Sequence, residues 1–168
     1  MENIRKKKWV AFIILAAFIG ILLMKFPVWR YFMARPYEMS FGKETLKELA
    51  YSGTRKDRLA VREILDEAEE AFSATGLSAE EAEEKFGQLD KCTYTADSYP
   101  DAVSEKHDLK LYTAKCDGES GYLWVCFTHN AYDAKGELVS GSRDVLARWE
   151  IKKDGNGAWH VSSIMEAV

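Results

Sequence analysis

Residues 122–127, Tyr-Leu-Trp-Val-Cys-Phe, are apolar at every position, whereas residues 145–152, Val-Leu-Ala-Arg-Trp-Glu-Ile-Lys, concentrate their charges on one alternation. Successive side chains of a strand point to opposite faces. The first pattern therefore predicts a central strand covered on both sides, and the second a strand with one wetter face. Working outward, aromatic and β-branched residues recur with a period of two between Gly, Asp and Asn clusters, which predicts strands over 92–96, 109–116, 122–133, 137–152 and 159–166. The connecting turns are Asp117-Gly118-Glu119-Ser120-Gly121, Ala134-Lys135-Gly136 and Asp154-Gly155-Asn156-Gly157. Loops this short make consecutive strands antiparallel neighbours. Ser140-Gly141-Ser142 interrupts the fourth predicted strand, and a glycine there predicts a bulge that bends the sheet over a helical layer.

Upstream the period is 3.6. Ser40 is placed to cap a short helix through Leu46, Leu49 and Ala50 that ends at Gly53, and Thr54 with Asp57 has the spacing of a capping box. Ala60, Val61, Ile64, Leu65, Ala68 and Phe72 then form one apolar stripe, with acidic residues on the remaining surface, up to Gly76. Ser78 with Glu81 repeats the capping box before a third helix bearing Ala79, Ala82 and Phe86, which stops at Gly87. Helices followed by strands specify an α+β class: a helical layer packed on a bent antiparallel sheet, cone-like in form.

The N-terminal segment differs in kind. Residues 9–24, WVAFIILAAFIGILLM, contain no charge, and continuation through Phe26 gives 9–26 the length of a transmembrane helix, with Lys25 snorkelling to the interface. Arg5, Lys6, Lys7 and Lys8 precede the run more densely than Lys25, Arg30 and Arg35 follow it, which predicts a cytoplasmic N-terminus over 1–8. A cleaved signal peptide needs small residues on its exit side, but Lys25, Phe26, Pro27, Val28 and Trp29 are bulky or charged. Residues 27–37, with Pro27 and Pro36 among aromatic and basic residues, read as a juxtamembrane connector against the headgroups. The folded domain is expected over 38–168, outside the cytoplasm.

Charge narrows the partners. The chain carries 23 Lys and Arg against 27 Asp and Glu, a net charge of −4, and the positive part is concentrated near the start. An acidic domain repels nucleic acid, so the expected partners are membrane lipid, through the N-terminal helix, and other envelope proteins. Cys92, Cys116 and Cys126 lack CxxC spacing and nearby paired histidines, so no zinc site is indicated. With residues 117–121 as the turn, Cys116 faces Tyr122 and Cys126 faces Tyr112, too far apart to bond one another. Cys92 is then the one candidate partner for either, against three unoxidised, buried thiols.

The order of helices followed by a bent sheet, with Gly121-Tyr122-Leu123-Trp124-Val125, Tyr132-Asp133, Ser140-Gly141-Ser142, Trp149 and the terminal strand Trp159 to Glu166, resembles the nuclear transport factor-like superfamily. That superfamily includes the ketosteroid-isomerase and SnoaL-like α+β cones, and the chain is similar to uncharacterised membrane-anchored members from Gram-positive bacteria. The resemblance implies a cone with a pocket between its helices and the concave sheet face. It hosts enzymes, binding modules and scaffolds alike, so function has to be argued from the site.

Tyr112, Tyr122, Trp124, His129 and Tyr132 are the candidate pocket-lining residues. His129 and Asp133 share a strand face at a separation of roughly 13 Å, too far for a direct pair. His107, among Glu105, Lys106 and Asp108, reads as a solvated loop residue, and His160 as a strand-edge residue. The acidic groups around Asp66–Glu70 and Glu80–Glu84 lack the alternating ligands of a calcium loop and read as solvated helix faces. With no cofactor motif, metal motif or catalytic constellation, the expected function is a membrane-tethered, non-catalytic interaction or ligand-binding domain. The alternatives are a structural subunit of a secretion- or conjugation-type envelope complex and a small-molecule isomerase- or hydrolase-like enzyme.

Overall fold

The computed structural model describes residue 9, residues 13–14 and 17–20, and residues 27–167. Among these no helix is long and apolar enough to cross a membrane. Most of the span expected over 9–26 lies outside the described residues, as does the N-terminus expected over 1–8. The chain divides into two compact units, Met1–Ser52 and Gly53–Val168. Residues 38–52, expected within the sheet-bearing domain, thus group with the first unit.

In the first unit, helix α1 (Pro27–Ala34) lies along a 3-10 turn at Lys47–Ala50. Between them come the 3-10 turn Arg35–Tyr37 and two single helical turns, α2 (Glu38–Phe41) and α3 (Lys43–Leu46). The helix expected to start at Ser40 is broken instead. Ser40 lies inside α2, and Gly42 takes φ 77 and ψ 149, a conformation that ends one turn and starts the next. Phe41, Leu46 and Leu49 are buried.

In the second unit, α4 (Arg55–Ala60) and α5 (Arg62–Ser73) follow the expected stripe, with a break at Val61 where φ is −95 and ψ 5. Both capping boxes form: Thr54 with Asp57 opens α4, and Ser78 with Glu81 opens α6 (Ala79–Phe86). Each satisfies backbone donors that a helix start otherwise leaves unpaired. Val61, Ile64, Ala68, Ala71 and Phe72 are buried on the stripe, and Phe86 closes the layer from α6.

The helices pack on a four-stranded antiparallel sheet in the order β1 (Ser104–Asp117), β2 (Ser120–Tyr132), β3 (Leu138–Lys153), β4 (Trp159–Glu166). Leu123, Val125 and Phe127 from β2 and Ala147, Trp149 and Ile151 from β3 meet the helices in one core. Trp124, on the other alternation of β2, is also fully buried, so β2 is central and covered as its sequence requires. On β3 the opposite alternation carries exposed Glu150 and Lys152. The bulge expected at Ser140-Gly141-Ser142 is realised as two register shifts, one on each side of that triplet. Asp144 takes φ 51 in one of them. Gly121 is required because a Cβ there collides with the Lys115 carbonyl, whereas one at Gly141 meets only the movable Asn130 side-chain amide.

Three expectations are corrected. Residues 92–96 are not a strand. Gly87–Cys92 is a 3-10 helix, and the following extended residues run beside the end of α5, with Thr93 Oγ1 donating to the Ala71 carbonyl (3.2 Å) and a lone bridge between Thr75 and Tyr94. That stretch finds backbone partners outside the sheet, so strand-like composition does not make it a strand. Second, β1 begins at Ser104 rather than 109. Third, the first turn is two residues, not five, because Asp117 pairs with Ser120. Cys116 therefore faces Gly121, one residue off the expected register, and Cys126 faces Lys110, two residues off, because β1 shifts register between Leu111 and Thr113. All three cysteines are free thiols, and burial pushes the Cys92 thiol far up.

Candidate ligand-binding cleft

A cleft of about 300 Å³ opens between the end of α5, the segment after α6 and the inner face of the sheet. Phe72 and Phe127 form its apolar wall, Thr93, Tyr94 and Tyr99 come from the segment that the sequence had assigned to a strand, and Ser140, Gly141 and Ser142 bring in the bulged part of β3. Lys91 and Glu166 stand at its rim; burial raises the Glu166 pKa and Lys91 counters it. The bulges matter to this geometry because an unbent β3 would carry Ser140 and Ser142 in register along a flat sheet.

His129 is the centre of the cleft. Its ring is held 4.1 Å from that of Tyr94 and edge-on to Phe72 at 4.8 Å, measured between centroids. The residue is 5% exposed, and its Nε2 is buried with no hydrogen-bond partner. Burial pulls its pKa down to about 4, with the neighbouring His107 charge acting in the same direction and the Phe72 carbonyl against it. At neutral pH the ring is therefore uncharged. Its backbone is pinned separately, since Tyr94 donates its hydroxyl to the His129 carbonyl at 2.9 Å.

Behind His129 lies a charged array that the sequence reading missed. His107 on β1 pairs directly with His129 across the strands. Its Nδ1 contacts Glu105 Oε2 at 2.8 Å, its Nε2 contacts Glu69 on α5, and its ring stacks on Phe72. Burial works against charge on His107, but the two carboxylates outweigh it and raise its pKa. His107 is thus a clamp between helix α5 and strand β1, not a solvated loop residue. Glu105 Oε2 also lies 3.8 Å from His129 Nε2. The available signal was the two-residue spacing of Glu105 and His107, which places both on one strand face once β1 is extended. Among the described residues no group of three or more His, Cys, Asp and Glu is arranged to hold a metal ion.

Of the five residues predicted to line a pocket, His129 alone lines this cleft. Tyr122, Trp124 and Tyr132 lie on the other alternation of β2 and so on the opposite sheet face. Tyr122 is next to Arg148, 5.2 Å from its ring, in a second depression of about 340 Å³ lined mostly by charged side chains. Trp124 is fully buried, Tyr132 lies under Lys106, and the Tyr112 hydroxyl meets the Cys126 thiol. Asp133 works in a turn, accepting from the backbone of Lys135 and Glu137 at 2.8 Å each. His160 is exposed on β4. Of the acidic helix residues, Glu69 binds His107 and Glu70 pairs with Lys85 at 2.7 Å.

No family model matches the chain, and no curated protein matches its sequence. A solved structure described as a conserved protein from Planctomyces limnophilus is similar to it at a TM-score of 0.47 and 12% identity, over 66% of this chain and 94% of that one. A likeness at that level fixes neither family nor activity.

The two histidines give opposite pH dependences. His107 has a folded pKa above its unfolded value, so its contribution is complete below about pH 6.5 and is lost as pH rises through the raised value. His129 has a folded pKa near 4, so the unfolded chain takes up protons first and stability falls as pH drops from about 6.5 toward 4. Urea midpoints against pH are expected to lose their acid-side fall in His129→Phe and their alkaline-side fall in His107→Gln. Parallel profiles for the wild type and both variants would remove these assignments.

Proposed function

We propose that the chain is a membrane-tethered, non-catalytic ligand-binding protein of the nuclear transport factor-like cone type, with its N-terminus in the cytoplasm and its sheet-bearing unit on the other side of the bilayer. The uncharged run over 9–24 and its dense basic flank support the tether. The helical layer on a bulged antiparallel sheet supports the cone. The ligand is a small molecule with an aromatic or apolar part and several hydrogen-bonding groups, because Phe72, Tyr94, Tyr99 and Phe127 share the lining with Lys91, Thr93, Ser140, Ser142 and Glu166.

One observation carries the binding function: an imidazole that is uncharged at pH 7 stands in the wall of a cleft of about 300 Å³ together with Phe72, Tyr94 and Tyr99. Its ring, packed against Tyr94 and Phe72, offers a ligand an uncharged surface beside Ser140 and Ser142. The reading is non-catalytic because the nearest acid-base groups, Glu105 and Glu69, are engaged with His107.

The test is a fragment screen on the full-length protein in nanodiscs, read by the imidazole nitrogen resonances of His129. Phenol and toluene serve as a matched pair of probes. Fragments that shift His129, with binding weakened about ten-fold in His129→Phe, support the assignment. A screen in which no fragment perturbs His129, Tyr94 or Tyr99 overturns it.

A further inference from the structure

Helix α1 presents an uncovered apolar face. Val28, Trp29, Phe32 and Met33 recur at i, i+1, i+4 and i+5, which gathers them on one side of the helix. They are 53%, 38%, 52% and 61% exposed. Ala34, on the opposite side, is buried, and α1 lies along Lys47–Ala50. Four large side chains turned outward on an eight-residue helix form a contiguous apolar patch, unlike the single exposed residues found on any protein surface.

The sequence around the helix selects what covers that patch. Only Lys25 and Phe26 separate the uncharged run 9–24 from Pro27, so a chain whose 9–26 stretch lies in lipid must carry α1 at the bilayer surface. No acidic residue occurs between Glu2 and Glu38, while Lys25, Arg30 and Arg35 flank or interrupt α1. Net positive charge beside an aromatic face is the composition of a helix lying in an anionic interface. The rest of the chain is acidic and would be repelled by the same surface.

We propose that α1 is a second, in-plane membrane contact: Val28, Trp29, Phe32 and Met33 sink into the headgroup–acyl boundary of an anionic leaflet, and Lys25 and Arg35 meet its phosphates. The consequence is a first unit that lies against lipid rather than standing off it on a flexible connector. This rests on the reading that 9–26 spans the bilayer, and the experiment separates the two.

The full-length protein is reconstituted in vesicles of phosphatidylcholine, with and without phosphatidylglycerol, carrying lipids brominated near the glycerol end of the acyl chains. The fluorescence difference between wild type and Trp29→Phe isolates Trp29, and that between wild type and Trp9→Phe isolates Trp9. Trp29 emission is expected to be quenched about two-fold or more with phosphatidylglycerol present, and the quenching is expected to be lost in the double variant Phe32→Glu, Met33→Glu. If Trp9 is quenched and Trp29 is not, the tether stands and the in-plane contact is overturned. If neither is quenched, the tether itself fails and takes this inference with it. Equal Trp29 quenching in pure phosphatidylcholine overturns the anionic preference.

Discussion

Replacing Phe72 by alanine is expected to destabilise the sheet-bearing unit by about 3–5 kcal/mol, the range for deleting a fully buried aromatic ring. Phe72 has no exposed surface, and its ring meets Phe127 at 5.0 Å, His107 at 5.5 Å and His129 at 4.8 Å. The cavity left behind cannot be filled by collapse, because β2 and α5 are each held by their own backbone hydrogen bonds. The free energy of opening of β2 amides, from hydrogen exchange, is the appropriate measure. Leu59→Ala, at a side chain 59% exposed, serves as the control and is expected to change it by about 0.5 kcal/mol or less. A loss below about 1 kcal/mol for Phe72→Ala would contradict this account of the core. The same variant admits water to His129, so its depressed pKa is expected to move back up toward the ordinary histidine value.

Asp57→Ala is expected to cost about 2–4 kcal/mol, combining the loss of the side-chain half of a capping box with a strand donor left unpaired. One carboxylate oxygen of Asp57 accepts from the Thr54 amide at 2.8 Å and its hydroxyl at 2.6 Å, and the other accepts from the Cys116 amide at 3.0 Å. A single buried side chain thereby starts α4 and fastens it to β1. Asp57→Asn retains an acceptor for Cys116 but offers Thr54 a donor, so a smaller loss is expected. Denaturant titrations of the two variants check the order. Equal losses would mean that the link to Cys116 adds nothing beyond the cap.

What the sequence made legible was local. The capping boxes at Thr54 and Ser78 were readable because the whole interaction lies within four residues. The stripe through Ile64, Ala68 and Phe72 and the strand from Trp159 to Glu166 were readable because their periods are set by the packing they enter. What was missed depended on distant partners. The start of β1 was hidden because its inward positions, Glu105 and His107, are polar and make sense only opposite Glu69 and His129. The extended residues after Cys92 read as a strand because nothing in their composition says that they dock on the end of α5. The first turn was read three residues too long, since Asp117 and Ser120 look like turn residues and yet pair. Strict alternation along β2 puts His129 on the face opposite Tyr122, Trp124 and Tyr132, so placing all of them in one pocket ran against the strand's own period.

The strand order β1-β2-β3-β4 makes every sheet partner the next strand along the chain. No strand needs to find a remote partner or thread between two that have already joined, so the loop-closure entropy of each step is small. Among sheet proteins such a meander has a low contact order, which favours rapid, zipper-like growth outward from β2 and β3.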